Sequence, residues 1–316
     1  MAKREYYSCR RALETGAQWL FLIGGRNIGK SYDVKKTVVE DCFKRGVQFV
    51  YLRRWNKDIK QNGVESYFFD CPVKDITKGK FDGIMAYQGY LYFYIMDSET
   101  NKPIKNDKPV GRYCALNESA RYKSQVFENT EYIIYEEMIP DDNMYLDNET
   151  TRLQNFVSTV LRSKSGRIFL IGNTLSRVCP YVKDYSLSNF LRMKQGDIDI
   201  YNYHTPEGDV KLCVEYCAKV KQENKMFFGQ ASKQIVSGEW EVEQANKLPY
   251  KMDAYEKVYE MLIEFQDFKF MLWLLVSKET GGRICYVYPY TNDIDAFRGF
   301  RVLTDRFSDN PFISAR

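Results

Sequence analysis

The stretch Gln18-Trp-Leu-Phe-Leu-Ile-Gly-Gly-Arg-Asn-Ile-Gly-Lys-Ser31 decides the fold of this chain. Residues 18–23 are almost entirely apolar and predict a fully buried strand. Residues 31–45 repeat apolar side chains at helical spacing, and the glycine that follows them can cap a helix. Between the two segments lies the pattern G-x-x-x-x-G-K-S, which is typical of a phosphate-binding P-loop. The sequence therefore predicts a strand, a P-loop and a helix that together bind a nucleotide.

Each part of the P-loop has a chemical reason. Gly24 and Gly29 let the backbone turn, so that amide N–H groups face the phosphates beside the positive end of the helix dipole. Lys30 is expected to reach the β- and γ-phosphates of ATP, and the hydroxyl of Ser31 to ligate Mg²⁺. The alternative is a glycine-rich turn without a ligand, which the strand before it and the helix after it disfavour. The predicted nucleotide-binding residues are Gly24, Gly25, Asn27, Ile28, Gly29, Lys30 and Ser31.

Short apolar strands alternate with helices over the first two thirds of the chain. This alternation predicts an α/β fold with a mostly parallel sheet and right-handed crossovers. Alternating side chains around Gln88-Gly89 predict an antiparallel hairpin insertion. We therefore expect a P-loop ATPase domain over residues 1–205. The segments are strands at 48–52, 131–137 and 167–172, a helix at about 147–162 and the hairpin at 83–96.

Two carboxylates end the strand predicted at 131–137. Glu136 and Glu137 would lie at the carboxyl edge of the sheet, where open α/β sheets bind their ligands. Glu136 is predicted to hold Mg²⁺, and Glu137 to activate the attacking water as a general base. A solvated acidic pair is the alternative, and the upstream P-loop weighs against it. Two adjacent acids favour a hydrolase over a P-loop kinase.

Three further features have ordinary structural alternatives. Asn173 follows a buried strand, where its amide can sense the γ-phosphate, but Asn-Thr is also common in turns. Arg162 ends the helix at 147–162, where it can reach a neighbouring subunit's phosphates or merely complement the helix dipole. A basic stretch after the second strand can bind DNA phosphates or form a solvated loop. Its residues are Arg53, Arg54, Lys57 and Lys60.

Composition sets wider limits. The chain has 316 residues and a net charge of +4, which is too weakly basic to demonstrate a nucleic-acid partner. It has eight cysteines without a C-x-x-C pair. Since a zinc site needs clustered ligands, Cys213, Cys217 and His204 make only a remote candidate. No signal peptide and no membrane-spanning run is evident, so we expect a soluble intracellular protein with no membrane partner.

The texture of the sequence changes after residue 205. Residues 206–249 are polar and helix-permissive, and they predict a partly helical linker. Residues 268–277 and 283–288 predict strands joined by Lys-Glu-Thr-Gly-Gly, which favours a hairpin. We therefore expect a small α+β domain over residues 250–316.

Taken in order and spacing, these motifs resemble the DNA-packaging (encapsidation) ATPases of phi29-like phages, which are short relatives of the terminase large subunits. The resemblance covers residues 15–180, and beyond them it rests on chain length, strand pattern and Phe227-Phe228-Gly229. The residues that carry it are Ile23 to Ser31, Tyr51-Leu52-Arg53-Arg54-Trp55, Tyr122-Lys123-Ser124, Ile134 to Glu137, Thr159 to Arg162, and Ile171-Gly172-Asn173.

The resemblance implies an ASCE-type P-loop ATPase that forms a ring, with five subunits expected, in the host cytoplasm. The ring would dock on the portal of an empty capsid and push double-stranded DNA inside, with a structural packaging RNA as a further candidate partner. By position, Arg162 becomes a trans-acting arginine finger and Lys123 a second trans-acting basic residue. Asn173 becomes the coupling residue, Arg26 a cis sensor of the phosphates, and the basic loop a DNA contact in the pore. Glu136 departs from the commoner Asp, which changes its reach to Mg²⁺.

The family's small C-terminal domain resembles a degenerate RNase H-like nuclease. A two-metal nuclease needs carboxylates around shared ions, usually with one inside its first strand. The strand predicted at 268–277 has no internal acid, so we expect no nuclease activity. Two other functions stay open, another P-loop DNA-dependent ATPase such as a helicase or DNA-mobilising motor, and a nucleotide-binding regulator or P-loop kinase.

Overall fold

The computed structural model describes residues 6–141, 144–162, 164–175, 179–206, 208–218, 220, 252–265, 268–289 and 300–303. The chain divides into two compact units, Met1–Glu241 and Val242–Arg316. Among the described helices, none is both long enough and apolar enough to cross a membrane.

Helices and strands alternate along the first unit. Its helices are α1 (Arg10–Glu14), α2 (Lys30–Arg45), α3 (Gln61–Phe68), α4 (Val73–Ile76), α5 (Glu149–Leu161) and α6 (Pro180–Asp184), with short 3-10 helices at Asn56–Ile59, Leu116–Tyr122 and Phe190–Arg192. Its strands are β1 (Trp19–Gly24), β2 (Gln48–Arg53), β3 (Gly83–Tyr87), β4 (Tyr90–Met96), β5 (Pro103–Lys105), β6 (Gly111–Ala115), β7 (Thr130–Glu136), β8 (Arg167–Asn173), β9 (Ile198–Thr205) and β10 (Gly208–Tyr216).

These strands form a 10-stranded sheet in the order β3-β4-β6-β2-β7-β8-β1-β10-β9, with β5 paired to β4. Neighbouring strands from β6 to β10 along this order run parallel, and antiparallel strands flank them on both sides. The P-loop strand β1 lies between β8 and β10, so its carboxyl end opens within the parallel region, one strand from its β10 end. Ligands of open α/β sheets bind at such an edge.

The core covers both faces of the sheet because the side chains of a strand alternate. On β1, Leu20 and Leu22 pack in one cluster with the apolar stripe of α2. Phe21 and Ile23 point to the opposite face and pack with the apolar stripe of α5. Each fully buried Leu or Phe contributes about 1.5–3 kcal/mol. The P-loop is therefore held by a strand that is anchored on both faces.

The structure confirms most of the predicted elements, including β1, α2, β2, the β3–β4 hairpin, β7, α5 and β8. Gly46 adopts a left-handed φ of 68° and caps α2, as its position predicts. The predicted linker at 206–249 is wrong for its first part, because Gly208–Tyr216 forms β10, which pairs in parallel with the P-loop strand. The sheet of the first unit therefore extends beyond residue 205. The rest of the predicted linker, including Phe227-Phe228-Gly229, lies outside the described residues.

The second unit contains a four-stranded sheet in the order β13-β12-β11-β14. The sequence predicted its second and third strands but missed the first, β11. The strand β14 runs parallel to β11, whereas the other neighbours are antiparallel. The strands are β11 (Tyr255–Phe265), β12 (Phe268–Ser277), β13 (Arg283–Pro289) and β14 (Phe300–Leu303).

Candidate nucleotide-binding site

The P-loop has the backbone geometry that its glycines predict. Gly29 adopts φ 99° and Asn27 φ 60°, both in the left-handed region that favours Gly and Asn. Gly24 lies against Cys217, the residue that directly follows β10. A Cβ at Gly24 would lie 2.9 Å from the Cβ of Cys217, closer than two carbons can approach without a shift. The glycine at this position therefore lets β1 and the segment after β10 pack directly under the loop.

Lys30 is buried and folds back onto the loop that precedes it. Its Nζ donates hydrogen bonds to the carbonyl oxygens of Gly24 at 2.9 Å and Gly25 at 2.7 Å, and to Oδ1 of Asn173 at 3.3 Å. Burial lowers the pKa of Lys30 from 10.5 to about 8, and nearby Glu136 only partly opposes that shift. The ammonium group is thus short of negative charge, which the phosphates of a nucleotide would supply.

Glu136 ends β7 within this buried site. The hydroxyl of Tyr67 donates to its Oε1 at 2.7 Å, and the side chain of Ser31 is also hydrogen-bonded to it. Burial raises the pKa of Glu136, although Tyr67, Ser31 and Lys30 all favour the ionised form. A hydroxyl and a carboxylate in contact are oxygen donors of the kind that Mg²⁺ prefers. These two side chains fit the metal site that the sequence predicts, despite the longer Glu136.

Glu137 turns out of the strand with a positive φ of 61°. Its carboxylate accepts a hydrogen bond from the guanidinium of Arg53, which also lies 3.9 Å from Asp58. Arg53 was expected to contact DNA, but in this structure it is a half-buried partner of the predicted base. We therefore correct its predicted role.

Arg54 is the clearest correction among the predicted DNA contacts, because it is 3% exposed. Its guanidinium forms a two-pronged ion pair with Glu149, with Nε to Oε2 at 2.7 Å and Nη2 to Oε1 at 2.9 Å. It also donates to the backbone oxygens of Glu137 at 3.0 Å and Met138 at 2.8 Å. Arg54 therefore holds the backbone of Glu137, the predicted general base, in place. Its buried guanidinium is not available to a DNA duplex.

Asn173 and Arg26 lie close to the loop, as expected for residues that sense phosphate. The backbone of Asn173 pairs with that of Gly24 across β8 and β1, and its side chain reaches Lys30. Arg26 projects from the P-loop and forms an ion pair with Asp141 at 2.5 Å, with both side chains largely exposed. Asp141 follows Glu137 in the loop after β7, so this pair connects that loop to the P-loop.

Arg162 and Lys123, remote in sequence, lie on one region of the surface. Arg162 ends α5 with a positive φ of 49°, and its Nη2 donates to the backbone oxygen of Gln125 at 3.2 Å. Gln125 is two residues beyond Lys123, and both predicted trans-acting side chains are exposed. Among the described residues, neither side chain has a hydrogen bond or an ion pair with the P-loop of its own chain.

The remaining predicted ligands are separate from this site. Lys57 and Lys60 are exposed at the short 3-10 helix after β2, so they stay candidates for DNA contact. Cys213 is buried in β10, whereas His204 is exposed and pairs with Asp209. Across the described part of the chain, no group of three or more His, Cys, Asp or Glu side chains could hold a metal ion.

Sequence analysis did not identify three residues that contribute to the site. Tyr67 orients Glu136 from α3, Cys217 packs on Gly24, and Glu149 anchors Arg54. Only Cys217 carried a signal, as a small apolar residue near the end of a buried segment. Tyr67 and Glu149 meet their partners through tertiary packing, which no local pattern in the chain announces.

Comparison with known proteins agrees with this architecture. Residues 1–202 match the model of the family described as podovirus DNA encapsidation protein (Gp16). The DNA packaging protein of Bacillus phage phi29 is 29% identical over 190 residues, which cover 59% of this chain and 52% of that protein. The corresponding protein of Bacillus phage B103 is 30% identical over 170 residues, 53% of this chain and 47% of the relative. The chain thus spans about half the length of the curated relatives it matches.

Solved structures show the same fold. The N-terminal domain of the DNA packaging ATPase from bacteriophage phi29 matches with a TM-score of 0.53 and 22% identity, over 71% of this chain and 99% of that chain. A chain from the bacteriophage phi29 viral genome packaging motor assembly matches with a TM-score of 0.53 and 17% identity, over 94% of this chain and 88% of that chain.

Proposed function

This chain belongs to the family of podovirus DNA encapsidation proteins (Gp16), and we propose that it is an ATP-hydrolysing motor that drives double-stranded viral DNA into a preformed capsid. One observation carries the proposal. The P-loop lysine, the Ser31–Glu136 pair and Glu137 converge at the carboxyl ends of parallel strands, beside the amide of Asn173. This is the arrangement that ATP hydrolysis requires.

Within the site, each side chain has one task. Lys30 leaves the carbonyl oxygens of Gly24 and Gly25 and binds the β- and γ-phosphates. Ser31 and Glu136 would hold Mg²⁺, which would neutralise charge on the phosphate oxygens. Glu137 accepts a proton from the attacking water. The hydrogen bond between Asn173 and Lys30 links loss of the γ-phosphate to movement of β8.

Hydrolysis is completed by a neighbouring subunit. Arg162 and Lys123 present two cations on a common surface, and among the described residues neither is hydrogen-bonded or ion-paired to the P-loop of its own chain. A head-to-tail ring would bring this surface to the neighbour's nucleotide, and closed rings arise from such interfaces. We propose five subunits, docked on the portal of an empty capsid in the host cytoplasm, with a structural packaging RNA as a further partner. Arg26, held by Asp141 at the mouth, senses phosphate in cis.

DNA contact is assigned to the exposed part of the basic loop. Lys57 and Lys60 keep their charge at the surface, whereas Arg53 and Arg54 are bound to carboxylates. Lysines placed in this way bind phosphates as point charges without reading sequence.

We propose that the second unit is a vestigial RNase H-like domain without nuclease activity. Three antiparallel strands followed by one strand parallel to the first support this assignment. The expectation rested on the wrong strand, because the first strand is β11, and it contains Glu256, Glu260 and Glu264. Glu260 accepts hydrogen bonds from Trp273 at 2.7 Å and Lys257 at 2.9 Å, which lower its pKa. A carboxylate engaged in this way is a poor ligand for a shared metal ion. Plasmid nicking in Mn²⁺ that Glu260→Gln abolishes would contradict this assignment.

The test is steady-state ATP hydrolysis with and without double-stranded DNA, comparing wild type with Glu137→Gln. We expect hydrolysis that rises with duplex DNA and is lost in the variant, which should still bind ATP. Glu14→Gln serves as the matched control, since this glutamate is 60% exposed and pairs with Arg10 at the surface. Strand separation without a capsid would favour a helicase, and phosphate transfer to an acceptor other than water would favour a kinase.

A further inference from the structure

The hairpin inserted between β2 and β6 has one face that the ATPase chemistry does not use. Its two strands alternate strictly, with Ile84, Ala86, Leu91 and Phe93 buried in the core. The intervening side chains point the other way, and none of them is buried. They are Met85, Tyr87, Tyr90, Tyr92 and Tyr94, and we call this surface the tyrosine face.

Register places the tyrosines side by side. Tyr87 pairs with Tyr90, and Met85 pairs with Tyr92. The rings of Tyr90 and Tyr92 lie 6.3 Å apart between centroids. A Cβ at Gly83 would lie 2.7 Å from the ring of Tyr94, so this ring lies directly over the glycine of the neighbouring strand. The result is a continuous aromatic surface on an antiparallel sheet.

Two cations belong to the same face. Lys105, opposite Tyr94 on β5, holds its Nζ 4.6 Å from the ring centroid of Tyr92. Arg112, opposite Tyr90 on β6, holds its guanidinium 4.6 Å from the ring of Tyr90. Each cation is thus held against the face by a cation–π contact and adds positive charge beside the rings.

A cleft of about 1090 Å³ continues the face at its β6 edge. Tyr90 and Arg112 belong to both surfaces. Three side chains that line the cleft are positively charged, Lys108, Arg112 and Arg121. One lining side chain is a carboxylate, Glu128. Amide side chains add hydrogen-bond donors and acceptors, at Gln48, Asn56, Gln88, Gln125 and Asn129.

We propose that the tyrosine face and its cleft bind single-stranded nucleic acid, with bases stacked on the rings and phosphates at the cations. Unpaired bases offer the ring surfaces that a duplex keeps inside its stack, and aromatic side chains on open sheets bind them in this way. Stacking and phosphate contacts do not distinguish ribose from deoxyribose. Lys57 and Lys60, which we assign to the duplex, adjoin this site, because Asn56 and Ile59 of the same 3-10 segment line the cleft.

The test is fluorescence anisotropy of labelled oligo(dT), oligo(rU) and a duplex, titrated with the full chain without nucleotide. We expect both single strands to bind more tightly than the duplex at moderate salt. The double variant Tyr87→Ala/Tyr92→Ala should weaken single-strand binding at least about tenfold, since each stacked base contributes roughly fivefold to a hundredfold. Its binding of the duplex should stay unchanged.

Matched variants separate stacking from loss of structure. Tyr87→Phe/Tyr92→Phe keeps the rings and should bind within about threefold of wild type. Phe69→Ala removes a ring that is 90% exposed outside the face and should change nothing. Lys105→Ala should reduce the salt dependence of binding, whereas Lys44→Ala, at a surface lysine of α2, should not.

Two outcomes would overturn the proposal. One is wild-type protein that binds no single strand or prefers the duplex, and the other is an alanine double variant that binds as wild type does. The comparison of the two oligonucleotides identifies the sugar that the face prefers. Lys30→Ala, which should stop ATP hydrolysis, should bind single strands normally, so failure of the motor assignment is distinguishable from failure of this one.

Discussion

Arg54 and Glu149 form a buried ion pair, with Nε to Oε2 at 2.7 Å and Nη2 to Oε1 at 2.9 Å. Arg54 also donates to the backbone oxygen of Glu137, which carries the proposed base. Glu149 begins α5, and Arg162 directly follows the last residue of that helix. One buried ion pair therefore connects the proposed base, Glu137, to α5. The end of this helix would present Arg162 to the nucleotide site of the neighbouring subunit.

Neutralising Glu149 is expected to destabilise the protein strongly. In Glu149→Gln the guanidinium of Arg54 stays buried without a counter-charge, and breaking a buried pair costs about 3–5 kcal/mol. The hydroxyls of Tyr135 and Tyr181, which donate to Glu149, would also lose an anionic acceptor. Denaturant unfolding measures the loss. Glu14→Gln, from a pair that is 83% and 60% exposed, should change the free energy of unfolding by less than about 1 kcal/mol. Equal effects of the two variants would contradict this account.

The ion pair between Arg54 and Glu149 explains why the sequence-based prediction of a DNA contact was wrong for Arg54. Arg53 and Arg54 lie close in sequence to Lys57 and Lys60, and all four side chains carry a positive charge. The sequence alone therefore does not distinguish them. Their environments differ because β2 ends beside two carboxylates, Glu137 directly after β7 and Glu149 at the start of α5. Both are distant from β2 in the chain. Burial of an arginine depends on a partner of opposite charge, and that partner is found only when the sheet order is known.

The fold was predictable where apolar periodicity was strong and local. The elements β1, α2, β7, α5 and β8 all have such patterns. By contrast, β10 carries Lys211 and Glu215 and pairs in parallel with a strand from the start of the chain. The strand β11 carries four charged residues, Glu256, Lys257, Glu260 and Glu264, which mask its alternation. The charged residues interrupt the apolar pattern of both strands, so local propensity alone did not reveal them.

Removal of Arg53 is expected to raise hydrolysis in the absence of DNA. Its guanidinium holds the carboxylate of Glu137, and a carboxylate engaged by a cation is a weaker base. In Arg53→Ala the base is released, so we expect DNA-independent ATP hydrolysis to increase about tenfold and stimulation by duplex DNA to shrink. Steady-state rates with and without duplex measure both effects.

A surface arginine controls for loss of charge in that experiment. Arg45 pairs with Asp41 and Glu131 at the end of α2, so Arg45→Ala should leave the rates unchanged. If Arg53→Ala instead lowered hydrolysis under both conditions, Arg53 would be required to orient the base rather than to restrain it.

Nucleotide binding is expected to take up a proton above neutral pH. The pKa of Lys30 is about 8 in this structure and 10.5 when unperturbed, because burial disfavours the charged form. Phosphates would restore the charge, so ATP affinity should fall by up to about tenfold per pH unit above pH 8. Calorimetry at pH 8.5–9 in two buffers of different ionisation enthalpy should detect the uptake. Heats that do not depend on the buffer would rule out this role of Lys30.

The same shift fixes the sign of a stability change in the nucleotide-free protein. Between pH 8 and 10.5 the unfolded chain holds the Lys30 proton and the folded chain does not. The contribution of this group to the free energy of unfolding therefore rises with pH across that window. In Lys30→Met this contribution should vanish, and comparison of the two pH profiles isolates it from other titrating groups.

Mixed rings test whether Arg162 acts across an interface. Arg162→Ala leaves Glu137 intact, and Glu137→Gln leaves Arg162 intact, so each variant alone should be inactive. If the finger acts in trans, about a quarter of the interfaces in an equal random mixture join an intact base to an intact arginine, because such interfaces are head-to-tail. ATP hydrolysis should then reappear on mixing, and Lys123→Ala should complement Glu137→Gln in the same way. A cis role for Arg162 predicts an inactive mixture at every ratio, since no subunit would contain both groups.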